Sequence, residues 1–250
     1  MHRLITLVIN LDGSDDRMSS ARQQLEAAGI AFERLPATDG RRLNIASLPY
    51  HDTDATLRYF GRPVNGGEIG CYLSHMASLK RFLAGDADIA LVLEDDVRLA
   101  AGFAQHIADL TAWLGTQHDL DWHVINLGNR TLKISTPLHG FGPHVLYRAH
   151  YFPMTTTALL WSRAGAEAIL ADSLPITAPV DNMLRKRLTR SQKGLAFRPP
   201  LASTTGADSD IDTRSDIARS KTRRGALYGL RKQRRLWGDK ILALRAKYLG

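Results

Sequence analysis

Cysteine is almost absent: Cys71 is the only one in 250 residues. That excludes an internal disulfide framework and a cysteine-only metal cluster, and it suits a reducing compartment. Long apolar runs are also missing, because the longest, Ile89 to Leu93, spans five residues where a membrane-spanning helix needs about 20. No transmembrane helix is expected. The first ten residues lead into acids without a small-residue cleavage site, so no cleaved secretion signal is expected either, and the expected location is cytoplasmic. There is no Walker-type glycine-lysine loop, no internal repeat and no low-complexity linker. What remains is a chain that is 44% apolar and 23% charged, large enough to bury a substantial core in one globular domain.

The net charge of +8 is unevenly spread. Residues 219–250 carry eleven Lys and Arg against the single acid Asp239, a net +10, while the other 22 bases and 24 acids leave residues 1–218 at −2. The basicity belongs to a tail, which points to contact with an anionic surface. Within that tail Leu227, Leu230, Trp237, Ile241, Leu244 and Tyr248 recur at steps of three, four or seven, the pattern of a basic amphipathic helix. Three readings stand: contact with an anionic membrane leaflet, a solvated or packed face, and nucleic-acid binding. The last is least favoured, since no stacking platform or base-reading motif accompanies the charge.

Strand and helix signals alternate along the body. An Ile- and Val-rich run from Arg3 to Leu11 stops at Asp12-Gly13-Ser14, and a helical segment follows from Asp15 to Gly29. A short strand fits Phe32 to Pro36, and the stretch to Phe60 is weakly patterned. Ile69, Leu73, Met76, Leu79, Phe82 and Leu83 give Gly66 to Leu83 a helical period, closed by Gly85. Ile89 to Leu93 reads as a central strand covered on both faces. Further helices are expected near Ala101 to Leu114, Arg163 to Ala171 and Val180 to Arg190, and strands near His123 to Leu127 and Thr155 to Trp161. His139, His144 and His150 lack zinc-ligand spacing and read as loop residues. The alternation favours an α/β fold.

Glu94-Asp95-Asp96 stands at the end of the buried strand, where open α/β sheets bind ligands. Three adjacent acids repel one another, and a hard divalent cation such as Mn²⁺ or Mg²⁺ would relieve that. In an extended segment Glu94 and Asp96 point the same way and Asp95 the other, so the first two are expected to share the ion. The alternative is a solvated acidic turn.

The ordered series Val8-Ile9-Asn10-Leu11-Asp12 with Arg17, Leu35-Pro36-Ala37-Thr38-Asp39-Gly40, Gly67-Glu68-Ile69-Gly70-Cys71 with Ser74-His75, and Leu93-Glu94-Asp95-Asp96-Val97 resembles glycosyltransferase family 25. Ser162-Arg163-Ala164-Gly165-Ala166-Glu167 and Pro179-Val180-Asp181 extend the resemblance, which covers residues 3–211. It implies a GT-A type fold, a Rossmann-like mixed sheet flanked by helices, over residues 1–213; the basic amphipathic tail read from charge and spacing takes up 214–250. The resemblance further implies transfer of a hexose, usually galactose, from a UDP-sugar to a lipid-linked saccharide acceptor in lipopolysaccharide, lipooligosaccharide or other cell-surface glycan assembly. Under that resemblance Glu94 and Asp96 hold Mn²⁺ and the enzyme is inverting; the basic tail, read as contacting an anionic leaflet, would make it peripheral on the inner face of the cytoplasmic membrane. The chain departs from the pattern at Gly13, where many members carry arginine. The alternative from another class is a non-catalytic module that holds membrane or nucleic acid through its tail.

The remaining candidates follow from the same resemblance. Asn10, Asp12 and Arg17 would cradle the nucleotide, Arg17 by pairing with phosphate, and Asp39 would meet uracil or ribose. Each has a plain structural alternative, a surface arginine for Arg17 and a turn support for Asp39. Glu68 either faces the donor or caps its helix, and Ser74 and His75, further along that helix, line the same cleft or merely pack. Asp181 is the first candidate for the base that takes the acceptor proton, against a helix N-cap or first-turn acid. Asp95 is the second. Ser209-Asp210-Ile211 is a candidate lid over the donor, and Cys71 reads as packing.

Overall fold

The computed structural model describes residues 2–205 and 228–249. The first strand, β1 (Leu4–Asn10), is buried from Thr6 onward and is followed by a turn at Asp12-Gly13. Gly13 takes φ +88°, a left-handed conformation that a glycine adopts without steric cost. The chain then enters α1 (Asp15–Ala27), returns as β2 (Glu33–Pro36), and passes through two short turns and α2 (Thr53–Tyr59) into α3 (Gly66–Ala84). Next come β3 (Ile89–Glu94), β4 (Val97–Leu99), α4 (Phe103–Leu114) and β5 (Val124–Asn126). A hairpin of β6 (Ser135–Phe141) and β7 (His144–Ala149) precedes β8 (Ala158–Ser162), α5 (Arg163–Ala171) and α6 (Val180–Ser191). The strands β9 (Gly194–Arg198) and β10 (Ala202–Thr204) follow, and α7 (Tyr228–Tyr248) lies beyond.

Eight strands form one mixed sheet in the order β2-β1-β3-β8-β5-β9-β7-β6, and β4 pairs with β10 in a separate ribbon. The expected mixed sheet flanked by helices is present. One face packs on α3, α5 and α6 through Tyr72, Leu79, Phe82 and Trp161. The other packs on α1 and α4 through Leu25, Phe103 and Leu110. β1 and β3 run parallel with Ile9 opposite Glu94, so both deliver their carboxyl ends to one edge of the sheet, where ligands bind in open α/β folds.

Two expectations are corrected here. The histidine-containing stretch is a hairpin, not a loop, and it places His139 on β6 and His144 on β7. Pro137 and the register irregularity between Pro137 and His139 break the two-residue alternation that would have marked the strand. The weakly patterned stretch before Phe60 holds α2, capped by the Asp52 carboxylate on the Ala55 N–H at 2.7 Å.

The tail helix α7 packs against α6 and α2, with Ala243 fully buried. Its apolar stripe is not the packed face: Trp237, Ile241, Leu244 and Tyr248 are 43–70% exposed. The expected boundary at 213/214, the residues Ser209-Asp210-Ile211 and Leu227 lie outside the described residues.

Candidate active site

The cleft opens where β1 and β3 end, between the N-terminal turns of α1 and α3. The loop Ala37-Thr38-Asp39-Gly40 closes it by lying directly on α3. A Cβ on Gly40 would stand 1.7 Å from the Gly66 carbonyl oxygen, and one on Gly70 would stand 2.5 Å from that of Thr38. Only glycines permit this crossing. Ser74 staples it, accepting the Thr38 N–H at 2.8 Å while donating to the Gly70 carbonyl at 2.7 Å.

The three acids part company. The chain turns at Asp95-Asp96 instead of staying extended, so neighbours, not strand alternation, decide where each carboxylate goes. Glu94 ends β3, with His75 Nε2 at 3.1 Å and the Thr156 hydroxyl donating at 2.7 Å, both on Oε1. Burial pushes the Glu94 carboxyl up, but His75, by its hydrogen bond and charge, and Thr156 outweigh this and hold it below its usual range. Asp95 is buried and turns to the α1 side, where Arg17 pairs with Oδ1 and Asn10 Nδ2 donates to Oδ2 at 2.7 Å. Asp96 lines the cleft, and its Oδ1 is buried without a hydrogen-bond partner among the described residues. Burial first, then the Glu94 charge, pushes the Asp96 carboxyl up to about 6.

Several expected donor contacts have other employment. The Asn10 side chain does not line the cleft; it is 1% exposed and joins Asp95, the Ser14 carbonyl at 3.1 Å and Arg34, whose Nε donates to Oδ1 at 2.7 Å. Asp12 is turned outward, pairing with Arg34 at 2.5 Å. Glu68 completes a capping box: its carboxylate accepts the Asn65 N–H at 2.9 Å, the Asn65 side chain accepts the Glu68 N–H at 2.7 Å, and Arg62 pairs with it from the side. Arg17, Asp39, Ser74 and His75 do line the cleft. Asp39 accepts from Arg41 Nε at 2.8 Å and also caps the Arg41 N–H at 3.1 Å, and that pairing holds its carboxyl below the ordinary range.

A second cavity adjoins the first, lined by Glu68, Thr155 to Thr157 and Asp181, and Cys71 and Glu94 belong to both. Asp181 lies in the first turn of α6 but is not its N-cap, a position that Pro179 fills. Its Oδ1 accepts the Asn182 N–H at 2.6 Å and Nδ2 at 2.9 Å, and burial pushes its carboxyl up. Burial and then the charges of Glu94 and Asp181 push the Cys71 thiol well up as well, which argues against a thiolate nucleophile there. Sequence patterns gave no signal for Thr156 or Arg34, because each acts through a partner more than twenty residues away in the chain.

An α/β sheet whose parallel strands end at a carboxylate-lined cleft, with a buried acid in an adjoining cavity, has the architecture of a nucleotide- or sugar-binding protein. The family model for glycosyltransferase family 25, described as LPS biosynthesis protein, matches residues 4–184. The chain belongs to glycosyltransferase family 25. Among similar proteins, procollagen galactosyltransferase 1 of Danio rerio is 30% identical over 187 residues, covering 71% of this chain and 30% of that protein. Procollagen galactosyltransferase 2 of Mus musculus is 28% identical, covering 71% and 29%. A probable inactive glycosyltransferase 25 family member 3 of Rattus norvegicus is 29% identical, covering 85% and 40%. The chain thus spans about a third of the length of these relatives. A solved glycosyltransferase involved in the glycosylation of the major capsid of PBCV-1 aligns with TM-score 0.43 and 8% identity, covering 86% of this chain and 99% of that one.

Proposed function

We propose that this protein transfers a hexose, galactose being the expected one, from a UDP-sugar to a saccharide acceptor of a cell-surface glycan such as lipopolysaccharide, with inversion at the sugar carbon. The observation that carries this is the pair of adjoining cavities, one holding the carboxylates at the end of β3 and the other Asp181, with Glu94 in the wall of both.

The donor set fits a hard cation. Glu94 and Asp96 both line the first cavity, and the buried, unpartnered Oδ1 of Asp96 leaves a lone pair without a neutralising partner among the described residues. Those two residues would hold Mn²⁺ or Mg²⁺, which when bound offsets the diphosphate charge and eases departure of UDP. Asp95 acts through Arg17: the buried carboxylate, tied to Asn10, aims the guanidinium into the cleft, where it meets phosphate oxygens. In this scheme Asp95 positions Arg17 and the base is Asp181, with its Oδ1 occupied by Asn182 and Oδ2 left to the acceptor. Oδ2 takes the hydroxyl proton as the acceptor oxygen bonds to the anomeric carbon. The electron pair of the bond that breaks leaves with the diphosphate.

The acceptor side of the proposal is lipid-linked, and the occupant of the α7 stripe is the anionic cytoplasmic leaflet. Four exposed apolar side chains are flanked by Arg234, Lys240, Arg245 and Lys247, the charge complement of such a surface.

Thermal unfolding with a panel of UDP-sugars, each with and without Mn²⁺, tests the donor. A ligand at about 100 times its dissociation constant adds roughly 2.7 kcal/mol, a rise of several degrees at about 2–4 °C per kcal/mol for a chain of this size. The expected result is a shift with UDP-galactose that needs the metal. No shift with any UDP-sugar under any metal condition would overturn the proposal.

A further inference from the structure

One cluster shares only Glu94 with the proposed cation pair. The Cys71 sulfur, a ring nitrogen of His75 and a carboxylate oxygen of Glu94 all lie within 4.8 Å of one another. Cys71 and His75 are four residues apart on α3, so they share one face of the helix, and Glu94 meets them from the end of β3.

We propose that Cys71, His75 and Glu94 form a binding site for zinc or a zinc-like borderline divalent cation, which competes with the oxygen-only pair Glu94 and Asp96 for Glu94. Sulfur, imidazole nitrogen and carboxylate are the zinc donors, and three protein ligands with one open position make a tetrahedral site. Zn–S of about 2.3 Å and Zn–N of about 2.0–2.1 Å place neighbouring donor atoms about 3.3–3.6 Å apart. His75 Nε2 and Glu94 Oε1 stand 3.1 Å apart, near that spacing, and the Cys71 sulfur lies within 4.8 Å of both residues' ligand atoms. Mn²⁺ and Mg²⁺ prefer oxygen, and the thiol selects against them.

The ion has a way in, because both cavities open onto Cys71 and Glu94. Binding forms the S–Zn and N–Zn bonds, and the thiol proton and the Nε2 proton that His75 shares with Glu94 are both given up as the ligands engage. His75 Nδ1 has no hydrogen-bond partner among the described residues, so the imidazole lacks the outer support that tight zinc sites give their histidines. The site is therefore a reversible one, weaker than a structural zinc. Occupied, it withdraws Glu94 from the hard-cation pair and fills the junction of the two cavities, so zinc inhibits transfer and excess Mn²⁺ relieves the inhibition. That last consequence rests on the proposed transferase chemistry; the site itself does not.

The test needs no turnover. Cys71 is the sole cysteine, so any thiolate signal belongs to it. Titrating the metal-free full chain with Co²⁺ is expected to produce a near-ultraviolet thiolate-to-cobalt charge-transfer band at one equivalent, abolished by Zn²⁺ and absent in Cys71→Ser. Zn²⁺ is expected to slow alkylation of the wild-type thiol by iodoacetamide, because coordination occupies the lone pair that would attack, while Mn²⁺ gives far less protection. Asp96→Asn, which dismantles only the hard-cation pair, should keep the cobalt band. No band in the wild type, or protection by Mn²⁺ equal to that by Zn²⁺, overturns the site. A cobalt band with no thermal shift from any UDP-sugar would uphold the metal site and sink the transferase; the reverse pair of results would do the opposite.

Discussion

Asp96 sets stability against function. Its carboxyl is raised to about 6 by burial and by Glu94, so between about pH 4 and 6 the native protein keeps a proton that the unfolded chain, at an ordinary aspartate value, has lost. The unfolded state binds fewer protons there, and metal-free stability falls as the pH rises through that window. Asp96→Asn removes the charge and keeps the shape. At pH 8 the metal-free variant is expected to melt higher by about 2–4 °C, on the order of 1 kcal/mol after discounting for partial exposure, and to show a shallower fall in stability from about pH 4 to 6, with the share of Asp181, also raised by burial, left in place. Transfer is expected to fall by at least about 100-fold, because cation-assisted charge stabilisation contributes several kcal/mol. Wild-type turnover with Mn²⁺ in this variant would remove Asp96 from the site. Asn10→Ala is the opposite case: it strips a hydrogen bond from the buried Asp95 carboxylate, at a cost of about 1–3 kcal/mol, and thermal melting should drop accordingly. The acid triplet was legible because a buried apolar run ends in it. The separate tasks of its members were not, because they depend on Arg17, His75 and Thr156, each supplied by a different part of the fold.

At the scale of elements, the loop 37–40 and the start of α3 form one device. Two glycine-bearing motifs about thirty residues apart read as separate ligand contacts in sequence, yet their shared geometry is a backbone crossing in which Gly40, Gly66 and Gly70 meet. Gly40→Ala drives a methyl into the Gly66 carbonyl, and overpacking of this kind costs about 1–3 kcal/mol or more. Gly140, on β6, has nothing within 4 Å of its would-be Cβ, so Gly140→Ala should leave the urea midpoint nearly unchanged while Gly40→Ala lowers it. Equal midpoints for the two variants would show that the crossing is dispensable. The same scale explains which elements the sequence made visible. α3 and β3 carry long, one-faced or fully apolar patterns, the strongest periodic signals available. The strand β6 was hidden because it is almost wholly exposed until Phe141, so it has no buried alternation to read. α2 has seven residues, about two turns, too few for a period to emerge.

Across the whole molecule, a body of net −2 carries a tail of net +10, and the tail helix is fastened to the body by the face that holds Ala243. Asp239 on that face acts electrostatically on Arg185 and Lys186 of α6, the helix whose first turn presents Asp181. The helix α7 therefore does not hang free of the body; it would hold α6, and the cavity beside Asp181, at a fixed attitude to whatever surface the stripe meets. Deleting residues 219–250 would bare the α6 and α2 surfaces and confuse folding with targeting. Replacing Trp237, Ile241, Leu244 and Tyr248 together by serine touches only exposed side chains and should leave melting within about a degree or two, as surface substitutions usually do. Co-sedimentation with vesicles containing anionic phospholipid is expected to be lost in that variant, and in the wild type to weaken from low salt to about 0.5 M, where screening shortens the reach of each Lys and Arg. Transfer to a small soluble acceptor should persist while transfer to a vesicle-borne acceptor falls. Vesicle binding by the wild type that is indifferent to both lipid charge and the four serines would instead make α7 a packed face with no membrane role.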